Sequence, residues 1–138
     1  MKNQVPFLYK VLSIAGSDSG GGAGIQADIK TITALGGYAT TAITALTAQN
    51  TLGVHSVFEV PASFVSQQID TVMTDIGTDA VKTGMLLCKD IVDVVSLKIK
   101  EYHIKRVVVD PVMLSKNERM LLSTDAIYAL TAHLFPLS

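Results

Sequence analysis

The hydrophobic and polar positions of this chain alternate between short apolar runs and longer stretches with helical spacing. After Pro61, for example, Val65, Ile69 and Val72 form one apolar stripe, which predicts an amphipathic helix. The apolar runs predict strands at Val11–Ala15, Tyr38–Leu46, Val54–Val60, Ala80–Met85 and Arg106–Asp110. Further helices are predicted at Ala23–Leu35, Lys89–Tyr102 and Ser123–Leu134. In the first of these Ile25, Ile29 and Ile32 form an apolar stripe, and Ser123 is predicted to cap the last.

This alternation of strands and helices predicts the fold class. Strands separated by helices are typical of right-handed βαβ units, so we expect an α/β fold with a mostly parallel sheet and helices on both faces. The three valines Val107–Val109 predict a central strand. The last residues, Phe135–Ser138, stand where another strand would be due. We therefore expect residues 1–138 to form an incomplete domain that self-associates unless another chain covers its apolar edge.

Composition excludes several classes of protein. Of the 138 residues 49% are hydrophobic, and the formal net charge of −1 gives no basic field for nucleic acid. Residues 31–58 lack charged side chains, but polar residues and glycines interrupt them, which favours buried strands over a membrane span. The single cysteine, Cys88, excludes an internal disulfide and favours the cytoplasm; we interpret it as a small core residue.

A glycine-rich segment, Gly16–Gly24, joins the first predicted strand to its helix. Glycines allow a ligand to approach the backbone, and free N–H groups of the first helical turn attract negative groups, so we expect a small-molecule site here. Gly22–Ala27 fits the dinucleotide fingerprint G-x-G-x-x-A, but it starts too far after Ala15. The next acid after Asp28 is Glu59, too distant for a ribose contact, which disfavours NAD.

Three polar residues are candidates for binding. Asp28 is either an acid favoured by the helix N-terminus or a carboxylate that accepts from a ligand. Gln49 closes the second predicted strand, where its amide is either a turn partner or a match for an aminopyrimidine or adenine edge. Asp110 follows the valine strand, and its position favours holding Mg²⁺ or water near a phosphate over a simple turn before Pro111.

Four blocks, taken together, resemble a known family. They are Ala15–Asp28 with Lys30-Thr31, Ile43–Thr51, Lys82–Leu86 and Val108–Met113. Their residues and their order are similar to the hydroxymethylpyrimidine and phosphomethylpyrimidine kinases of thiamine biosynthesis, which belong to the ribokinase-like superfamily. Pyridoxal kinases share this superfamily, but the stretch Gly22–Asp28 favours the pyrimidine enzymes.

The resemblance implies a pyrimidine pocket. Gly16 would present its backbone to the ring, and Asp28 and Gln49 would hydrogen-bond it. Met85 and Val112 would pack against it. The metal residue would be Asp110, beside the phosphates of Mg–ATP, and the substrate hydroxyl would attack the γ-phosphate of ATP. The same site would then phosphorylate the monophosphate.

Two departures from the family pattern limit this expectation. The family's proteins are longer, and their later half supplies a Gly-Thr-Gly anion hole and the residue that activates the hydroxyl; this sequence has no Gly-Thr-Gly. We therefore assign no catalytic residue and expect the 138 residues alone to be inactive. Lys116–Arg119 also stands where members often carry Lys-Ser-Gly-Asp. The alternatives are a non-catalytic pyrimidine-binding module, a decayed remnant, or pyridoxal kinase-like activity.

Overall fold

A computed structural model of the chain describes residues 8–113 and 122–138, which form a sheet flanked by helices. Four parallel strands lie in the order β2-β1-β5-β6, with bounds Tyr38–Ile43, Lys10–Ala15, Ala80–Thr83 and Val107–Val109. A separate antiparallel pair consists of β3 (Ala45–Asn50) and β4 (Gly53–Glu59). The helices are α1 (Gly24–Ala34), α2 (Ala62–Asp75), α3 (Lys89–Glu101) and α4 (Thr124–Ala129). After α4 the chain forms a π-helical turn (Leu130–Leu134) and a 3₁₀ turn (Phe135–Leu137).

The alternation of side chains along β1 separates the two faces of the sheet. Leu12 and Ile14 are fully buried in the main core, together with apolar residues of α2 and α3. Ser13 points to the opposite face, where its hydroxyl reaches Asp28 of α1. Because successive strand residues face opposite sides, α1 covers one face while α2 and α3 cover the other. The predicted parallel sheet with helices on both faces is confirmed.

The predicted strand Tyr38–Leu46 was wrong in its last three residues, because β2 ends at Ile43 and the chain leaves the sheet at Thr44. The Thr44 N–H donates to the Ala15 carbonyl at 3.0 Å, and its hydroxyl donates to the Met85 carbonyl at 2.6 Å. The Thr44 carbonyl accepts from the Val60 N–H at 3.0 Å. The bond to Ala15 is the last of the parallel ladder between β1 and β2, whereas the Thr44 carbonyl is taken by Val60 and not by β1. The chain therefore turns away from the sheet here, and β3 begins a hairpin with β4. The strand predicted at Val54–Val60 is confirmed as β4.

The valine strand does not lie where its composition indicated. In the part of the chain that the structure describes, β6 is hydrogen-bonded to β5 alone and stands at the edge of the sheet, so the predicted central position was wrong. Val108 is 62% exposed. Valine favours any pleated, half-buried surface, and its β propensity does not separate edge strands from central ones. The departure at Lys116–Arg119 lies outside the described residues.

The remaining helix predictions agree with the structure to within a few residues at their ends. The cap at Ser123 is confirmed, since its hydroxyl oxygen accepts the Ala126 N–H at 3.2 Å. On α1 the predicted stripe is weaker than expected, because Ile25 is buried but Ile29 is 38% exposed. Within residues 8–113 and 122–138, no helix combines the length and apolarity needed to cross a membrane.

Candidate small-molecule site

A cavity of about 570 Å³ opens at the carboxyl ends of the parallel strands, beside the β3–β4 hairpin. The chain places β2 and β5 on opposite sides of β1, and ligands of open α/β sheets bind at such switch points. The structure brings all six sequence-predicted residues to this one cavity. They are Gly16, Asp28, Gln49, Met85, Asp110 and Val112.

The glycine-rich segment is held by a carboxylate that the sequence reasoning missed. Asp18 is 4% exposed, and its two oxygens accept the N–H groups of Gly20, Gly22 and Ala23 at 2.7, 2.9 and 2.8 Å. In the first helical turn, the Ile25 N–H donates to the Gly16 carbonyl at 3.0 Å. The expectation that the amides of the first helical turn are free for a ligand was therefore wrong for Ala23 and Ile25. The sequence signal for this role was an Asp directly before a glycine run, because Asp side chains in such segments favour local hydrogen bonds to the backbone.

Two glycines of the segment allow the backbone to pack closely at the cavity wall. Gly24 has φ +56°, and a Cβ there would lie 2.3 Å from the Gly16 carbonyl oxygen. A Cβ on Gly16 would lie 2.5 Å from the terminal methyl of Met85. Gly24 therefore requires glycine, because its clash is with backbone at positive φ, whereas at Gly16 the end of the flexible Met85 side chain can move aside.

Asp28 of α1 meets two side chains from the neighbouring strands. Its Oδ2 accepts from the Ser13 hydroxyl at 2.5 Å and from Lys82 Nζ at 3.1 Å. Lys82 Nζ also lies 3.6 Å from Asp110 Oδ2. The side chains of Asp28 and Lys82 are 18% and 24% exposed, whereas that of Asp110 is 55% exposed. Sequence reasoning missed Ser13 and Lys82, although both stand in predicted strands.

Gln49 is carried by the hairpin and not by the end of a strand of the parallel sheet, so its predicted location was wrong, although its side chain lines the cavity. Its main chain exchanges two hydrogen bonds with the Ser19 hydroxyl, at 2.8 and 2.7 Å. Its side-chain Oε1 lies 3.3 Å from Thr47 Oγ1, which donates to the Ser17 carbonyl at 2.8 Å. The hairpin is thus fastened to the glycine-rich segment, which positions the Gln49 amide.

The oxygen ligands that Asp110 offers fit a metal ion only when that ion is also bound to a nucleotide. Among the described residues, no group of three or more His, Cys, Asp and Glu side chains is arranged to hold a metal ion. Asp110 is one exposed carboxylate, and one of its oxygens faces Lys82. Mg²⁺ in nucleotide sites is held by one or two carboxylates together with water and phosphate oxygens. Asp110 therefore fits a magnesium–nucleotide complex and not a separate protein metal site.

A switch-point cavity with a glycine-rich wall, lined by acidic and amide side chains, is typical of α/β domains that bind small molecules. The family model described as phosphomethylpyrimidine kinase matches residues 18–138. The chain belongs to the phosphomethylpyrimidine kinase family, which confirms the resemblance found in its motifs. The expected ribokinase-like fold is also confirmed.

Individual relatives agree with this assignment. The chain is 53% identical over 131 residues to the hydroxymethylpyrimidine/phosphomethylpyrimidine kinase of Bacillus subtilis, covering 95% of this chain and 48% of the relative. The solved phosphomethylpyrimidine kinase of Clostridium difficile 630 superposes with a TM-score of 0.88 at 46% identity, over 94% of this chain and 56% of that one. The chain spans about half the length of these relatives.

A pyridoxal kinase is also similar. The structure of the Bacillus subtilis pyridoxal kinase in an ADP complex has a TM-score of 0.83 at 40% identity, over 96% of this chain and 48% of that one. The fold is therefore shared with kinases that are named for two different heterocycles.

Proposed function

We propose that the chain supplies the heterocycle-binding part of a kinase that phosphorylates 4-amino-5-hydroxymethyl-2-methylpyrimidine and then its monophosphate, using Mg–ATP. The observation that carries the proposal is the meeting of Asp28 and Gln49 at one cavity, from a helix and a hairpin 21 positions apart. The names of the relatives support the choice of substrate.

The polar side chains would orient the ring and the apolar ones would cover it. Asp28 Oδ2 already accepts two hydrogen bonds, which leaves Oδ1 to accept from the ring's amino group. The Gln49 amide offers a donor and an acceptor to the ring edge. Met85 and Val112 line the same cavity and would pack against the ring faces. Gly16 lets the backbone approach the ring.

On the phosphate side, Asp110 would hold the magnesium of the nucleotide beside the substrate hydroxyl. When bound, Mg–ATP supplies the γ-phosphoryl group and the positive charge that offsets developing negative charge. The chain's own contribution is positioning, because a fixed substrate hydroxyl removes much of the entropic part of the barrier. For these 138 residues alone we propose negligible turnover, since their sequence lacks Gly-Thr-Gly.

Calorimetric titration with the hydroxymethylpyrimidine tests the proposal. We expect Gln49→Leu to weaken binding by about tenfold, since one net hydrogen bond contributes about 1 kcal/mol and the polar ring edge loses its partner. Gln67→Leu is the matched control, because Gln67 is exposed on α2 and does not line the cavity. Equal affinity of the two variants would contradict the proposal. A coupled assay on the same protein tests for turnover.

Pyridoxal phosphorylation is the second candidate function, and the structural similarity to pyridoxal kinases supports it. Titration with pyridoxal under identical conditions separates the two, since the tighter ligand identifies the heterocycle. Binding of the pyrimidine without turnover is also what a non-catalytic module would give. Absence of binding together with poor folding is what a decayed remnant would give.

We also propose that the chain self-associates. In the described residues β6 leaves one edge unpaired, and Val108 there is 62% exposed. Phe58 and Leu46 of the hairpin are 68% and 47% exposed. Unpaired edges and contiguous apolar surface favour association. Sedimentation velocity at increasing concentration tests this, and a constant monomeric coefficient would contradict it.

A further inference from the structure

Lys82 lines the cavity from β5, on the sheet face that α1 covers. Its register partners are Ser13 on β1 and Val108 on β6, so it stands between the glycine-rich segment and the end of β6. Its Nζ lies 3.1 Å from Asp28 Oδ2 and 3.6 Å from Asp110 Oδ2. One ammonium group thus connects the residue proposed to bind the ring with the residue proposed to face the nucleotide.

The two contacts of Lys82 differ in how easily they exchange. The contact with Asp28 is shorter and better buried, and Ser13 supports the same carboxylate oxygen. The contact with Asp110 is longer, and that side chain is 55% exposed. Exposed ion pairs contribute little free energy because water and salt compete with them. Another anion can therefore replace Asp110 at Lys82 while the bond to Asp28 remains.

The charges that line the cavity make Lys82 important for an anionic ligand. The acidic side chains there are Asp18, Asp28 and Asp110, and Asp18 already accepts three backbone N–H groups. Lys82 is the one basic side chain among the described residues that line the cavity. A phosphate monoester carries about −1.5 to −2 charge near neutral pH. Without Lys82, Asp28 and Asp110 would repel such a ligand.

Ring chemistry places the phosphate near this lysine. On the pyrimidine, the amino group and the phosphomethyl group are on adjacent carbons. If Asp28 accepts from the amino group, the neighbouring substituent lies beside the same carboxylate, where Lys82 Nζ is 3.1 Å away. A charge-assisted bond from an ammonium to a phosphate oxygen is stronger than one to a neutral hydroxyl.

We propose that Lys82 is the specificity-determining residue for the phosphorylated substrate: it keeps its bond to Asp28 and exchanges Asp110 for a phosphate oxygen of the phosphomethylpyrimidine. This rests on the proposed function, because Asp28 and Gln49 must hold the ring for the phosphate to reach Lys82. The hydroxymethyl form, which carries no charge at this position, gains much less from Lys82.

The experiment titrates the 138-residue chain with the hydroxymethyl and the phosphomethyl pyrimidines, without nucleotide or magnesium. We expect Lys82→Met to weaken binding of the phosphomethyl form by about ten- to hundredfold more than that of the hydroxymethyl form. Lys82→Arg keeps the positive charge and is expected to retain the wild type's preference for the phosphomethyl form. Lys105→Met, at an exposed residue outside the cavity, is the matched control. The preference of the wild type should also fall as salt increases.

Circular dichroism and thermal unfolding establish whether each variant is folded. If Lys82→Met does not fold, Lys82→Arg still tests whether a positive charge at this position gives the preference for the phosphomethyl form. Equal weakening of both ligands by Lys82→Met, in a folded protein, would overturn the proposal, because Lys82 would then act only through Asp28. Loss of the preference for the phosphomethyl form in a folded Lys82→Arg would also overturn the proposal. If the wild type binds neither pyrimidine, the proposed function itself fails, which is a different result from loss of discrimination.

Discussion

Ser13 and Lys82 occupy paired positions on β1 and β5, and both side chains donate to the same oxygen of Asp28. The parallel register places the two donors side by side on one face of the sheet, under α1. This arrangement fixes the Asp28 carboxylate by two bonds from two strands. It also explains how a residue on a helix is held at the mouth of a cavity formed by strand ends.

Removing the Ser13 hydroxyl tests this arrangement. We expect Ser13→Ala to lower the free energy of unfolding by about 1.5–3 kcal/mol, because hydrogen bonds to charged groups contribute that much. Urea denaturation measures the change. Ser96→Ala is the control, since the buried Ser96 hydroxyl donates to the Val92 carbonyl within its own helix and serves no charge. An equal loss in the two variants would show that Asp28 gains nothing particular from Ser13.

The carboxylate of Asp18 is expected to be essential for the conformation of the glycine-rich segment. Asp18→Ala leaves three backbone N–H groups without their acceptor. We expect a loss of about 2–4 kcal/mol in the free energy of unfolding, since each unsatisfied buried group costs about 1–3 kcal/mol and the segment can partly relax. Asp75→Ala, at the exposed end of α2, should change it by less than about 0.5 kcal/mol. Wild-type stability of Asp18→Ala would contradict this account.

Two glycines with positive φ provide a matched test of close packing. Gly24 has φ +56° and a Cβ there would lie 2.3 Å from the Gly16 carbonyl oxygen, while Gly36 has φ +80° and open space around it. Gly36→Ala should cost about 1–2 kcal/mol from the backbone conformation alone. Gly24→Ala adds a steric clash with backbone and should cost clearly more. Thermal unfolding of both variants measures the difference, and equal losses would show that the contact relaxes easily.

The sequence predicted elements whose signals are local. The stripe Val65, Ile69 and Val72 identifies a helix because its members are neighbours on one helical face, and the cap at Ser123 acts within three residues. The break at Thr44 was not predictable in this way, because its partners Ala15, Met85 and Val60 are brought together only by the fold. Strand order is non-local for the same reason.

The same distinction applies to the candidate site. Asp28 and Gln49 could be singled out because each stands next to a predicted element end and within a sequence block that resembles the family. Lys82 could not, since its importance depends on the register of β5 with β1 and on the reach of α1. Asp18 was missed because the glycine run was interpreted as allowing a ligand to approach the backbone, whereas the chain's own carboxylate accepts from its N–H groups.

A cluster that joins α2 to α3 predicts acid sensitivity. The hydrogen bond from Lys98, at 2.7 Å, lowers the pKa of Asp70 below its ordinary value of 3.8, and the Tyr102 hydroxyl at 2.7 Å lowers it further, while burial opposes both. A folded-state pKa below the unfolded one means that the stabilisation is present above about pH 4 and is lost as pH falls through the lower pKa.

Asp70→Asn should therefore be less stable than the wild type at pH 7, and the difference should shrink on acidification to about pH 2–3. Since Asp70 is partly exposed, we expect a modest effect that added salt reduces. Chemical denaturation at a series of pH values measures it, with Asp75→Asn as the control. A difference that stays constant across this range would show that the Asp70 charge is not responsible.

Cys88 joins the end of β4 to the start of α3, and its environment predicts low thiol reactivity. Burial raises the pKa of the Cys88 thiol above its ordinary value of 9.0, and the hydrogen bond to Glu59, at 2.9 Å between Sγ and Oε1, raises it further. The thiolate is the reactive form, so modification at pH 8 by a disulfide reagent that releases a chromophore should be slow.

Glu59→Gln removes the negative charge beside Cys88 and should speed the reaction a few-fold. Burial should still keep the rate below that of a free thiol. Because the chain has a single cysteine, the released chromophore reports this thiol alone. Glu101→Gln, on the far end of α3, is the control; an unchanged or slower rate in Glu59→Gln would show that Glu59 does not suppress the thiolate.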